Sequence, residues 1–148
     1  MSDAAPSTAA KPPWHLWVVG IVGVLWNAVG AMDYTMTQTR NGAYLKAVTP
    51  EMLAFIYSVP SWVVAAWAIG VWGGVVGMLL LLLRKRAAVP VLLASLVGAT
   101  LTFVYDYLLS EGIEVMGSSG MAFAGMIIVI ALSLYWYARV MRRRGVLR

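Results

Sequence analysis

No cysteine occurs in the 148 residues. Disulfides, thiolate nucleophiles, thiol-ligated metals and dithiol exchange with a quinone are excluded together. Histidine occurs once, at His15, so no metal centre or haem can rest on several imidazoles of one chain. No metal and no cofactor is expected. Charge is also scarce: Asp, Glu, Lys and Arg make up 11% of the chain against 61% hydrophobic residues, and mean hydropathy is +0.81. A soluble domain carries roughly a quarter charged residues. A surface this apolar is suited to lipid, so the lipid bilayer is the first expected partner.

The missing residue combinations exclude most chemistry. The glycines between Gly70 and Gly77 follow no strand-like stretch, so they form no phosphate-cradling loop. No serine, histidine and acid occur together for nucleophilic catalysis. Asp33 and Asp106 could act as acid and base, but each closes an apolar run, where acids serve as topological markers. An enzyme is not expected.

What is present is four long apolar runs, giving spans at about 14–32, 61–83, 87–109 and 117–139. At 1.5 Å per residue each is long enough to cross a hydrocarbon core of about 30 Å with tilt or fraying. The predicted fold is an all-α integral membrane four-helix bundle, a single membrane domain over 14–141. The flanks are a disordered tail over 1–13, small and Pro-rich, and a basic tail over 142–148. The first run could instead be a secretory signal cut near Val29-Gly30-Ala31, but its length and the presence of Trp26 and Asn27 favour a retained helix. In the first loop, Thr49-Pro50-Glu51 is a helix start: a hydroxyl cap, a proline at the first position and an acid in the first turn. A short helix over about 50–59 follows, read either as interfacial or as an extension of the second span broken at Pro60.

All but two of the eleven Lys and Arg residues, Arg40 and Lys46, fall on one side of these spans. The positive-inside rule therefore puts both termini in the cytoplasm. Basic residues at the ends of apolar runs orient a membrane protein, and no nucleic acid is expected as a partner. Trp14, Trp17, Tyr135, Trp136 and Tyr137 mark the inner ends, and Tyr34, Trp62, Tyr105 and Tyr107 the outer ends.

Lipid tails are as apolar as leucine, so small and polar residues at helical spacing mark the faces that meet other helices. Ala66, Gly70, Gly73, Gly74 and Gly77 share one face of the second span, and Leu81 is expected to face lipid. Gly20, Gly23, Asn27, Gly30 and Tyr34 line the first span; Ser95, Gly98, Ala99, Thr102 and Asp106 line the third. Counted from the helix starts, Asn27 and Thr102 lie at similar depth. Asn27 must face protein or water. Two readings stand: interhelical glue, or an outward-opening polar crevice floored by Asn27 and Thr102 and rimmed by Asp33, Tyr34 and Asp106. Those five are the candidate ligand-binding residues.

The stretches LWNAVGAMDYTMTQTR, YLKAVTPEMLAFIYSVPSW, AAWAIGVWGGVVGMLLLLLRKR and YARVMRRRGVLR resemble a family of small, uncharacterised four-helix bacterial inner-membrane proteins, some labelled sugar-transporter-like. The resemblance implies the architecture and a multi-pass bacterial inner-membrane setting, and it assigns no site residues. The function expected is a binding or interaction module with an outward-facing polar face. Its partner would be a second copy of the chain or another membrane protein. The alternative is an oligomeric small-solute, sugar-like transporter subunit.

Overall fold

The computed structural model describes residues 10–148, and every regular element among them is helical. The elements are α1 (Trp14–Gln38), α2 (Pro50–Ser58), α3 (Ser61–Leu82), α4 (Ala88–Val104) and α5 (Gly112–Arg143). A 3-10 turn at Tyr44–Ala47 precedes α2, and a π-helical turn at Tyr105–Leu109 continues α4. Four helices, α1, α3, α4 with its π turn, and α5, are long and apolar enough to cross a membrane. Most of the disordered tail expected over 1–13 lies outside the described residues.

The helices overrun two of the boundaries that hydropathy suggests. α1 continues past Met32 to Gln38. The hydroxyls of Thr35 and Thr39 donate to the carbonyls of Ala31 and Thr35, each at 2.7 Å, so polar side chains here satisfy themselves without breaking the helix. α5 begins at Gly112, before the expected start, and is kinked where Gly117 takes φ 73°, ψ 177°. Only glycine occupies that conformation readily. The α2 start forms as the sequence indicates, with Thr49 Oγ1 accepting from the Met52 amide at 3.3 Å and Pro50 in the first turn.

α3 is the central helix. Val71, Gly74, Met78 and Leu82 face α1, whose Gly30, Asn27, Gly23 and Gly20 pack against them in that order. Gly70, Gly73 and Gly77 face α4, against Ala99, Ser95 and Leu92. The glycine stripe therefore serves two neighbours, on faces roughly a hundred degrees apart at ideal helical geometry. The α3–α4 contact is the closest: a Cβ on Gly98 would sit 2.5 Å from the Ala66 carbonyl oxygen and 2.8 Å from the Gly70 nitrogen. Ser95 is buried in this seam and donates its hydroxyl to the Gly70 carbonyl across the two helices. α5 packs mainly against α4. No residue in its most apolar stretch is buried.

All four long helices converge at the end that carries the arginines. There Leu16, Met78, Leu81, Leu92, Ala138 and Met141 form the core with Val146 and Leu147. Two expectations are corrected at this end. Leu81, assigned to lipid, is fully buried, because it lies between the α1 and α4 faces of α3 where α5 closes the bundle. Residues 142–148 are not simply a basic tail. α5 runs to Arg143, Gly145 at φ 71° reverses the chain, and Val146 and Leu147 return into the core at 3% and 1% exposure. Main-chain bonds fasten the return: Arg148 N donates to Arg84 O at 2.7 Å, and Arg86 N to Arg148 O at 3.0 Å. The Arg84 guanidinium adds bonds to the carbonyls of Val146 and Ala10. Ala10, placed by the sequence in a disordered tail, is thus tied to the α3–α4 turn.

Candidate functional site

Polar and aromatic residues gather at the end opposite the arginines. The final turns of α1, the loop to α2, α2 itself and the π turn after α4 meet there. Tyr57 of α2 donates its hydroxyl to the Thr37 carbonyl at 2.7 Å, and the Arg40 guanidinium lies 4.2 Å over the Tyr57 ring. These contacts hold α2 against the end of α1. On the other side, Phe55 of α2 packs at Gly112, where the Asp106 carbonyl approaches so closely that no side chain would fit.

The candidate residues occupy three separate places. Asp33 accepts a hydrogen bond from the Tyr44 hydroxyl at 2.6 Å, on the loop side of α1. Tyr34 packs edge-on against Trp67 of α3, with ring centroids 4.9 Å apart. Asp106 lies in the π turn, half-buried. Its backbone oxygen accepts from Ser110 Oγ at 2.9 Å, and its carboxylate has no hydrogen-bond partner among the described residues. Tyr105, beside it in sequence, packs edge-on against Trp62 at 5.5 Å. A π turn adds one residue to a helical loop and swings the side chains after it to new directions, a geometry often found at functional positions.

The crevice expected between the first and third spans does not form. Asn27 Nδ2 donates to the Gly23 carbonyl at 2.7 Å and Thr102 Oγ1 to the Gly98 carbonyl at 3.0 Å, each within its own helix. Asn27 is level with Gly74 of α3, whereas Gly98 is level with Ala66 and Gly70, and Thr102 lies a turn further out. At 1.5 Å per residue these registers separate Asn27 and Thr102 by about 15 Å in depth. Counting from helix starts misjudged this because α1 begins well below the end of α3, with Gly20 already level with Leu82. The polar residue that α4 brings to the depth of Asn27 is Ser95, opposite Gly73. Asn27 is interhelical packing: its amide sits over Gly74, the one place on that face of α3 with room for it.

Two surface grooves stand out, and neither is that crevice. One, of about 620 Å³, runs along α3 and α4 past Trp62, Ile69, Leu93 and Val97 and is almost wholly apolar. The other, of about 750 Å³, lies at the arginine end between His15 and α5. Among the described residues no three histidine, aspartate or glutamate side chains gather as a metal site. The end opposite the arginines thus offers the carboxylates of Asp33 and Asp106 beside those of Glu51, Glu111 and Glu114, with several aromatic faces and tyrosine hydroxyls, which suits binding by hydrogen bonds and stacking.

The Tyr44 phenol is shifted above its ordinary value of 10.0, first by its hydrogen bond to Asp33, then by partial burial and by the Asp33 charge. A raised phenol pKa means that the bond supports the fold below pH about 10 and is lost as pH climbs through the shifted value. In a near-ultraviolet difference titration, Asp33→Asn should move one tyrosine to lower pH. An unchanged titration would mean the bond is absent in solution.

No protein-family model, no curated protein and no solved structure matches the chain.

Proposed function

We propose that this chain is a multi-pass protein of the bacterial inner membrane, with both termini cytoplasmic, α2 lying in the outer interface, and an outward end that binds a partner subunit or a small ligand. The family resemblance is part of this proposal. The observation that carries it is the outer end itself. A half-buried carboxylate, Asp106, lies in a π turn among aromatic residues that α2 braces from two sides. The asymmetry of Lys and Arg supports the orientation.

Two measurements test the reading. Alkaline phosphatase fused after Leu109 should be active and after Arg148 inactive; the reverse pattern, or activity at both points, removes the orientation. Asp106→Asn and Tyr34→Ala should release a copurifying subunit or ligand while leaving the melting temperature in detergent within a few degrees. Retention by both variants, with loss on changing residues at the arginine end, would move the site elsewhere.

A second reading, an oligomeric sugar-like transporter subunit, draws its support from α5. Between the Gly117 kink and Tyr137 it buries no residue against the rest of the chain, and a neighbouring copy could cover that stretch. Proton-coupled carriers usually hold a carboxylate deep in a span, whereas Asp106 sits at the end of one. Reconstituted vesicles that take up a labelled sugar only when the protein is present as an oligomer would favour this reading over the first.

A further inference from the structure

The groove at the arginine end has a shape and a charge that the outer site does not use. Its walls are apolar, from Trp136, Val140 and Met141 of α5, with Ser133 at the deep end and Arg144 at the mouth. Ser133 has already satisfied its hydroxyl on the Val129 carbonyl at 2.8 Å, so it presents little polarity to the groove. From Leu132 to Arg144 the groove runs about 18 Å along α5 at 1.5 Å per residue. Half a hydrocarbon core is about 15 Å. The groove is therefore one leaflet deep, with a cation where the headgroups lie.

A second nitrogen group lines the same groove. His15 of α1 lines the groove, and its Nδ1 is hydrogen-bonded to the Tyr137 hydroxyl. The Nδ1–phenol contact fits either tautomer of the ring. In the tautomer in which the phenol donates, Nε2 carries the proton and can donate to an anion.

The surrounding charge is of one sign. Arg84, Lys85, Arg86, Arg142, Arg143 and Arg148 share this end with Arg144. The described acidic side chains, Asp33, Glu51, Asp106, Glu111 and Glu114, lie on the outer side of the spans, so the arginine end has no aspartate or glutamate among the described residues. The guanidinium bonds of Arg84 go to carbonyls, which leave its charge uncancelled. A basic mouth over an apolar slot between transmembrane helices is the physical pattern of a lipid-headgroup site.

We propose that this groove holds one anionic phospholipid, its acyl chain along Trp136 and Val140 and its phosphate between the Arg144 guanidinium and the His15 Nε2–H. Arginine recognises phosphate with two parallel N–H donors. The apolar slot selects a lipid over a free anion, and the excess of positive charge selects an anionic lipid over a zwitterionic one.

The test is native mass spectrometry of the delipidated full chain with added phosphatidylglycerol or phosphatidylcholine of identical acyl chains. Both lipids offer a phosphate, but phosphatidylcholine also brings a quaternary ammonium into the basic mouth, so the wild-type chain should retain a one-to-one phosphatidylglycerol adduct about tenfold more tightly than phosphatidylcholine. Arg144→Gln should weaken retention of both lipids at least about tenfold and narrow the preference, and Arg143→Gln should leave both close to wild type. Ser133→Trp fills the slot without touching any charge and should weaken both lipids. Ser133 faces outward, so its thermal midpoint in detergent should stay near wild type; if that variant unfolds, the Arg144 and Arg143 pair decides alone. Equal retention of the two lipids, or equal loss in the Arg144 and Arg143 variants, would overturn the site in favour of diffuse surface charge. Displacement of the adduct by inorganic phosphate would make it a free-anion site and also overturn it.

Discussion

Gly98→Leu is expected to prevent α3 and α4 from docking, and Gly98→Ala to destabilise the bundle by about 1–3 kcal/mol. The reason is what a new Cβ would meet. At 2.5 Å from the Ala66 carbonyl oxygen and 2.8 Å from the Gly70 nitrogen, it strikes backbone, which has no rotamer to yield. The helices would have to separate, and the bond from Ser95 to the Gly70 carbonyl would stretch with them. Helices in lipid are held by just this kind of close contact, so its loss has no hydrophobic substitute. Gly125→Ala is the matched control: a Cβ there meets nothing within 4 Å, and the change should be neutral or stabilising by up to about 1 kcal/mol. Thermal unfolding in detergent, read by circular dichroism, separates the two. Equal midpoints would mean that the α3–α4 seam has room for a side chain at position 98.

Leu147→Asp is expected to undock the segment after Gly145, and Leu147→Ala to cost about 2–3 kcal/mol, the low end for a buried leucine because the segment can shift to fill the space. Leu147 is 1% exposed among Leu16, Met78, Leu81 and Met141. A carboxylate there would be buried without a designed partner, so the segment should leave rather than ionise in place. Its departure would free the amides of Arg86 and Arg148, which now donate to Arg148 and Arg84. Hydrogen exchange at those two amides should rise sharply in Leu147→Asp while exchange in the α3–α4 seam stays slow. Unchanged protection would show that the return segment does not close this end.

Much of the architecture was legible because lipid imposes simple demands. Length, the clustering of arginines and the aromatic ends marked four spanning helices, and Thr49-Pro50-Glu51 marked the start of α2. Small residues marked contact faces, but composition cannot name the partner. Gly74 faces α1 and its neighbours Gly70, Gly73 and Gly77 face α4, a division set by how the helices are arranged around α3. Depth was misjudged for the same reason, since Asn27 and Thr102 are offset by the register of each helix against α3. The π turn left no mark in the sequence: Tyr105–Leu109 continues the helical pattern of the third span, and the turn lies where Gly112 of α5 and Phe55 of α2 meet the Asp106 carbonyl. The return of Val146 and Leu147 was hidden by the arginines around it, because a segment so rich in cations reads as solvated. Of the candidate site, Asp33, Tyr34 and Asp106 do stand at one end of the molecule. Tyr44 and Tyr57, which contact this region, were missed because their pairing depends on a loop whose path the sequence does not dictate, and Trp67 because its contact with Tyr34 depends on the register of α1 against α3.

The pairing of Arg84 and Arg86 with Val146–Arg148 also constrains the order of events at the ribosome. The two segments are separated by some sixty residues, so the α3–α4 hairpin enters the membrane well before its partners exist. The close seam between Gly70 and Gly98 needs only residues within that hairpin, and it can form as soon as α4 is released. The arginine end cannot. Until α5 has been threaded and Gly145 has turned the chain, Leu81 and Met78 lack part of their cover. A nascent chain arrested before residue 146 would therefore present an inserted but unsealed bundle, a form that quality-control proteases can recognise by its exposed leucines.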